Sequence, residues 1–232
     1  TGKHTGKRYN DSDVYKAIED AAYTLKTNPE KKKKKQIDEL VDLIRQAQEP
    51  DGYLFTARTI DPKNPAPGSG QERWSNLRVS HELYNLGHLY EAAVAYYQAT
   101  GEKNLLDLAT KSADLLVKTF GPDKRRAFPG HQEVEIGLVK LYRVTGNEDY
   151  LNLAKFFLDE RGRYHGGEVY HKNSPFYIYN SEEYLQNHRP VLEQTEAVGH
   201  AVRAAYMYSA MLDVAALGSW PEYARASEKL WE

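Results

Sequence analysis

Tyr97-Gln98-Ala99-Thr100-Gly101, followed by Leu105-Leu106-Asp107-Leu108-Ala109, returns as Tyr142-Arg143-Val144-Thr145-Gly146, followed by Tyr150-Leu151-Asn152-Leu153-Ala154. The two Tyr-x-x-Thr-Gly turns lie 45 residues apart, and a looser copy stands at Ala216-Leu217-Gly218 before Tyr223-Ala224. Self-similarity at such a period marks stacked helical hairpins. Each glycine falls where a helix should end, a position that favours a left-handed residue without a Cβ. The longer gap before the third copy holds an insertion, about residues 162–190, rich in Gly, Tyr, His and Asn.

The two helices of each hairpin differ in kind. The second is amphipathic: Leu105, Leu108, Ala109, Ala113 and Leu116 share a face opposite Asp107, Lys111, Asp114 and Lys118, and Tyr150, Leu153, Ala154, Phe157 and Leu158 repeat the pattern. The first is apolar nearly all round, as in Val134, Ile136, Leu138, Val139 and Leu141, and again in Val198, Ala201, Val202, Ala205, Met207, Met211 and Val214. A helix apolar on every side is expected to be buried on every side. Buried helices alternating with one-faced helices predict two concentric rings, an all-α (α/α)6 toroid. About four hairpins are present, and the last helix reaches Leu230-Trp231-Glu232 without a capping signal, so residues 1–232 read as one incomplete barrel.

Upstream, a helix is expected from the capping residues Asn10-Asp11-Ser12 to Thr27, before Asn28-Pro29, and another over residues 31–48, with Ile37, Leu40, Val41 and Ile44 on one face. The lysine run 31–35 is a solvated helix face. Residues 49–75 contain Pro50-Asp51-Gly52 and a Pro/Gly-rich stretch over 61–70 that excludes regular structure, and they close on Glu72-Arg73-Trp74. A loop this long in a helical domain points to function.

Lys+Arg 31 against Asp+Glu 33 leaves a net charge of −2, which supplies no field for nucleic acid or an anionic membrane surface. No apolar run reaches the roughly 20 residues of a membrane span; Thr1 starts no signal peptide, and since a cleaved one would leave no trace here the compartment stays open. Cysteine is absent, so these residues hold no disulfide, no Cys-based zinc site and no thiol nucleophile. Tyr 18 against Phe 6 and Trp 3 leans toward amphipathic surfaces such as sugar clefts.

The buried helices open on polar groups: Ser80-His81-Glu82, then Gly130-His131-Gln132-Glu133, then Gln194-Thr195-Glu196 with His200 one turn further in. Repeat symmetry places these starts at one end of the barrel, where free N–H groups suit hydroxyl or anionic ligands and keep histidine neutral. One histidine at a helix start ordinarily caps or packs; three in equivalent places weaken that reading. His88, seven residues after His81, reads as core hydrogen bonding, while His4, His165, His171 and His188 lie in loops. A three-His zinc site is open by spacing, and so is a pair of carboxylates among Glu82, Glu133, Glu135 and Glu196 acting as glycosidase acid and base. His81-Glu82-Leu83-Tyr84-Asn85 starts like a zincin motif but carries Asn85 where the second histidine belongs.

His81-Glu82-Leu83-Tyr84-Asn85-Leu86-Gly87-His88-Leu89, with Glu91-Ala92-Ala93-Val94-Ala95, resembles the bacterial β-L-arabinofuranosidases of glycoside hydrolase family one hundred and twenty-seven. Matching segments follow in the same order at residues 11–16, 48–54, 129–135 and 189–204. The resemblance implies the first two-thirds of a six-hairpin barrel that is followed by β-sandwich domains. It implies retaining release of terminal β-L-arabinofuranose from plant glycans, by a cysteine nucleophile held on zinc by a glutamate and further cysteines, with a separate glutamate as acid/base. A zinc-bound thiol stays deprotonated at neutral pH, which is what such a nucleophile needs. This chain departs from that pattern by having no cysteine, and the family's zinc cluster and acid/base are expected beyond Glu232; no zinc is expected to be bound by this chain.

What the resemblance assigns here is the sugar-binding side of the pocket: His81, His131 and His200 match family histidines lining the subsite, with Trp74, Gln132, Glu133 and Glu196 as neighbouring candidates. The expected partner is an arabinose-containing glycan, and family analogy places the enzyme in a bacterial periplasm or cytoplasm. Two other classes stand beside this reading. One is a helical-repeat module binding a glycan or protein without chemistry; the other is a toroid enzyme working with two carboxylates.

Overall fold

The structure is a computed structural model that describes residues 4–163 and 169–232, so His165 lies outside the described residues. The helices are α1 Asp11–Thr27, α2 Lys31–Ala47, α3 Thr56–Thr59, α4 Leu77–Ser80, α5 Glu82–Thr100, α6 Asn104–Thr119, α7 Val134–Thr145, α8 Glu148–Glu160, α9 Ala201–Gly218 and α10 Pro221–Trp231. Among the described residues there is no β-strand, only an isolated bridge between Phe120 and Arg125.

Local chemistry sets the ends of these helices. α1 begins at Asp11 as the sequence predicts, with Asp11 and Asp13 favourably placed in its first turn. The expected Asn10 cap is not made: the Asn10 amide oxygen accepts instead from the Lys7 N–H at 2.7 Å, and Ser12 Oγ donates to the Tyr9 carbonyl. α1 stops at Asn28 because the following proline disfavours helical backbone there. α5 and α7 end on Gly101 and Gly146 at φ 76° and 71°. A Cβ would touch nothing at either position, so backbone handedness alone selects glycine. The third copy differs: α9 runs through Gly218, and the left-handed residue is Ser219 at φ 58°.

Packing arranges the long helices in two layers. α1, α5, α7 and α9 form an inner row in which each touches the next, and α2, α6, α8 and α10 pair with them on the outside. These are the four predicted hairpins, and together they make an arc of an α/α toroid. α5 and α7 approach so closely that a Cβ on Gly137 would lie 2.6 Å from the Gly87 carbonyl oxygen. The outer helices bury the predicted faces, Leu105, Ala109, Ala113 and Leu116 on α6 and Tyr150, Leu153, Ala154 and Phe157 on α8.

α5 and the N-terminal part of α7 are buried on nearly every side, but α9 corrects the expectation for its ring. Val202 and Leu212 are 48% and 50% exposed, because no described element packs on that side of α9. The helix also starts later than read: Val198 lies in a loop and the first helical residue is Ala201, so Gln194-Thr195-Glu196 is not a helix start.

The long loop folds back on the body. Asp11 accepts from the Thr56 N–H and hydroxyl, and Arg73 pairs with Glu49 and Asp51 while lying 4.3 Å over the Tyr53 ring.

Candidate functional site

The inner helices run in the same sense, so their N-terminal ends gather at one end of the arc. His81 precedes α5, His131 lies three residues before α7, and His200 precedes α9. Their rings meet: His81 and His131 centroids are 5.5 Å apart, and His131 and His200 5.9 Å. Aromatic rings surround them, Tyr9 at 5.1 Å from His81, Tyr84 at 4.4 Å and Tyr206 at 5.9 Å from His131, and Tyr184 at 5.4 Å from His200. Tyr184 comes from the insertion, as does Tyr179, edge-on to His81 at 6.5 Å.

Backbone partners fix the tautomers. His81 Nδ1 faces the Val79 carbonyl at 2.7 Å and His131 Nδ1 faces the Gln132 carbonyl at 2.7 Å. A carbonyl only accepts, so both rings carry their proton on Nδ1 and leave Nε2 as an acceptor. His200 is the reverse, its Nδ1 accepting from the Arg203 N–H at 3.4 Å, which leaves Nε2–H as a donor. Burial pushes His81 well below the ordinary imidazole range, with the positive charges of Arg203 and Arg8 acting the same way. His131 and His200 are lowered for the same first reason, and Arg203 adds to both. All three rings are therefore uncharged at neutral pH.

Among the described residues, four of the five non-glycine residues with positive φ support this region: Trp74 (64°), His81 (63°), Glu133 (149°) and Gln186 (52°). Backbone held in such conformations concentrates where geometry is imposed by function. His81 is held by its neighbour Glu82, a buried carboxylate accepting from Tyr53 Oη (2.5 Å), Ser80 Oγ (3.0 Å) and the Trp74 N–H (3.2 Å). Burial raises Glu82 to about 7 despite these donors.

The remaining predicted contacts fall elsewhere. Trp74 is buried, its indole packed edge-on against Tyr53 and Phe120 rather than against the histidines. Gln132 is fully buried and donates to the side chain of Gln186 at 3.0 Å, tying the α7 turn to the insertion. Glu196 is exposed on the loop before α9. His188 makes no ring contact with the cluster, and Arg189 beside it is exposed.

Glu133 lies one layer deeper. Its Oε1 is 3.3 Å from His88 Nδ1, which is 3.6 Å from Glu91 Oε2; Lys140 pairs with Glu91 and, at 3.5 Å, with Glu19. Burial and the adjacent Glu91 charge hold Glu133 well above the carboxylate range, so it keeps its proton. Glu135 is equally buried, against Arg161. Three of the four carboxylates considered for acid/base work are thus sealed in the interior.

Among the described residues, His88, Glu91 and Glu133 form the one group of His, Asp or Glu ligand atoms within 4.8 Å of one another, so the three-His set does not converge as metal ligands. The group does not fit a thiolate-held zinc: it has no sulfur donor, one carboxyl is protonated, and the Lys140 ammonium already occupies Glu91.

Tyr9, Tyr84, Tyr179, Tyr184, Tyr206 and Arg203 were not picked out from sequence. The only signals were the tyrosine excess, the tyrosine-rich insertion and the position of Arg203 in the segment around His200.

Comparison with known proteins places these features in context. The profile of the "Beta-L-arabinofuranosidase, GH127 catalytic domain" family matches residues 1–232. The non-reducing end β-L-arabinofuranosidase of Bifidobacterium longum subsp. longum is 39% identical over 225 residues, covering 91% of this chain and 33% of that protein. A solved GH127 β-arabinofuranosidase is 50% identical with a TM-score of 0.90, covering all of this chain and 35% of its own. The GH127 β-L-arabinofuranosidase of Geobacillus stearothermophilus T6 is 43% identical with a TM-score of 0.89, over 100% and 36% of the two chains. The chain thus spans about a third of the length of these relatives.

Proposed function

The chain belongs to the GH127 β-L-arabinofuranosidase catalytic-domain family, and on that premise we propose that it forms the sugar-gripping side of a glycosidase active site. The observation that carries this reading is the meeting of three uncharged histidines, within 6 Å ring to ring, at the N-terminal ends of neighbouring inner helices. A furanose presents hydroxyls that both donate and accept. His81 and His131 offer acceptor nitrogens to two such hydroxyls, His200 offers a donor, and the flanking tyrosines supply apolar faces for the sugar carbons.

The proposed substrate is a terminal β-L-arabinofuranose of a plant glycan, released with retention. Residues 1–232 are proposed as the N-terminal portion of the catalytic barrel. They contain no cysteine, so a zinc-held thiolate nucleophile would come from other residues, and His81, His131 and His200 act here by orienting the ring. Gln132, Glu133 and Trp74 serve as buried supports of the subsite, and Glu196 as an outer contact on its rim.

The test is hydrolysis of an aryl β-L-arabinofuranoside by the full-length polypeptide. His131→Ala should lower kcat/KM by about tenfold or more, the loss of one buried hydrogen bond to substrate at about 1.5 kcal/mol. Turnover of the α-anomer but not the β-anomer, or a His131→Ala variant as active as wild type, would overturn the assignment. A chelator that leaves activity intact after verified metal removal would overturn the zinc-held nucleophile.

A further inference from the structure

Arg203 touches the settings of all three histidines. It is 1% exposed, on the first turn of α9. Its backbone N–H donates to His200 Nδ1. Its Nη1 donates to the carbonyl of Gly130, the residue before His131. Its guanidinium lies 5.1 Å over the Tyr184 ring and 5.4 Å over Tyr179, the two insertion rings that edge onto His200 and His81. Among the described residues no carboxylate pairs with Arg203: it faces the Gly130 carbonyl and the two tyrosines, and its Nε is buried without a partner.

We propose that Arg203 is the positioning residue of the sugar subsite: its fork fixes the His131 turn and the insertion tyrosines, and its buried positive charge acts with burial to keep His81 and His131 in the uncharged, hydroxyl-accepting form. The proposal rests on the subsite reading given above. Among the described residues, the other charged groups facing the cluster act with Arg203 or are already paired. Arg8, from the segment before α1, donates to Val79 O and Tyr179 Oη and adds to the same positive field. Lys16 of α1 donates to Tyr84 Oη at 2.9 Å. His88 of α5 meets Tyr84 edge-on at 4.6 Å and is itself lowered by burial. Glu182 of the insertion is taken by Arg78, and Glu135 of α7 by Arg161. Burial raises Tyr206 above the ordinary phenol range, so it adds no charge to the cluster at neutral pH.

The test compares the full-length wild type with Arg203→Lys and Arg203→Met in two independent readouts. NMR of isotope-labelled histidine, titrated without sugar, follows protonation of His81, His131 and His200. In the wild type, His81 and His131 should titrate well below the ordinary imidazole range. In Arg203→Met at least one should move up, with burial still holding it below the ordinary imidazole value. Arg203→Lys should stay close to the wild type, because it keeps the charge. The second readout is KM against pH. An imidazole ionising near 6.5 would be about tenfold depleted in acceptor form at pH 5.5, which sets the upper limit, so the KM of Arg203→Met should rise by up to about tenfold from pH 7.5 to pH 5.5, while the wild type stays flat. Arg203→Lys should show a raised KM at every pH, since an ammonium cannot reproduce the fork.

A wild-type His81 or His131 titrating near 6.5 would overturn the proposal, and this arm holds even if Arg203→Met fails to fold. So would an Arg203→Met protein whose histidines titrate as in the wild type. Histidines that shift as expected while KM stays flat would support Arg203 and instead overturn the subsite reading.

Discussion

Replacing Arg161 by methionine probes the buried ionic contact that holds the His131 turn. Arg161 and Glu135 are both fully buried, with Nη2 and Oε1 3.7 Å apart. Arg161 also donates to the Leu185 carbonyl at 2.9 Å and the Pro129 carbonyl at 2.6 Å, so one guanidinium joins α7, α8, the turn and the insertion. Burial pulls Arg161 down to about 10 and pushes Glu135 up, and the mutual attraction opposes both shifts. Removing one partner leaves an uncompensated buried charge, a loss of about 3–5 kcal/mol. That is a large part of the roughly 5–15 kcal/mol by which a domain is stable.

The pH dependence has a definite sign. Glu135 has a folded-state pKa above its unfolded one, so the folded protein holds a proton the unfolded chain releases. Stability is therefore lost as pH rises from the ordinary carboxylate range through the folded value. Without Arg161 that value climbs further, and the stability gap between wild type and Arg161→Met should widen with pH by up to about 1.4 kcal/mol per unit. Adding Glu135→Gln should recover part of the loss and flatten the slope. Urea unfolding across about pH 5 to pH 8 measures both. A gap below about 1 kcal/mol that does not change with pH would refute the argument.

The Gly87–Gly137 crossing predicts that Gly137→Ala, whose Cβ would meet the Gly87 carbonyl at 2.6 Å, loses about 1–3 kcal/mol in the same unfolding assay; unchanged stability would mean that the helices do not meet there. Glu82, raised to about 7 by burial, should make wild-type stability fall as pH climbs from about 4.5 to about 7 and then level off. Glu82→Gln should remove that component, and a melting-temperature profile parallel to wild type over this window would show that Glu82 ionises normally. Loss of the insertion anchor through Gln186→Ala, which removes the partner of Gln132 and the donor to the carbonyls of Val198 and His200, should raise KM for the arabinofuranoside about tenfold by misplacing His200. An unchanged KM with lowered stability would make Gln186 purely structural.

The helical hairpins were legible because their causes are local. A left-handed glycine at Gly101 or Gly146, a proline after Asn28 and a periodic apolar face each act within a few residues of themselves. The places where reading failed had competing partners nearby or distant. Asn10 was drawn off its cap by Lys7, Ser219 rather than Gly218 took the left-handed turn beside Trp220, and the start of α9 moved to Ala201 once residues 191–200 were held against the insertion. The apolar face of α9 was visible in sequence, but whether anything covers it is a matter of neighbours.

Sequence alone determined that the chain is a helical repeat and that histidines head its inner helices, because both follow from periodicity and from residue type at helix ends. Only the tertiary structure decided that His81, His131 and His200 form one cluster, that Glu82, Glu133 and Glu135 are sealed inside, and that Arg203 sits among the three rings. Those facts depend on contacts between residues some 50 to 120 positions apart, and on burial, which sets tautomer and charge through groups the local sequence does not contain.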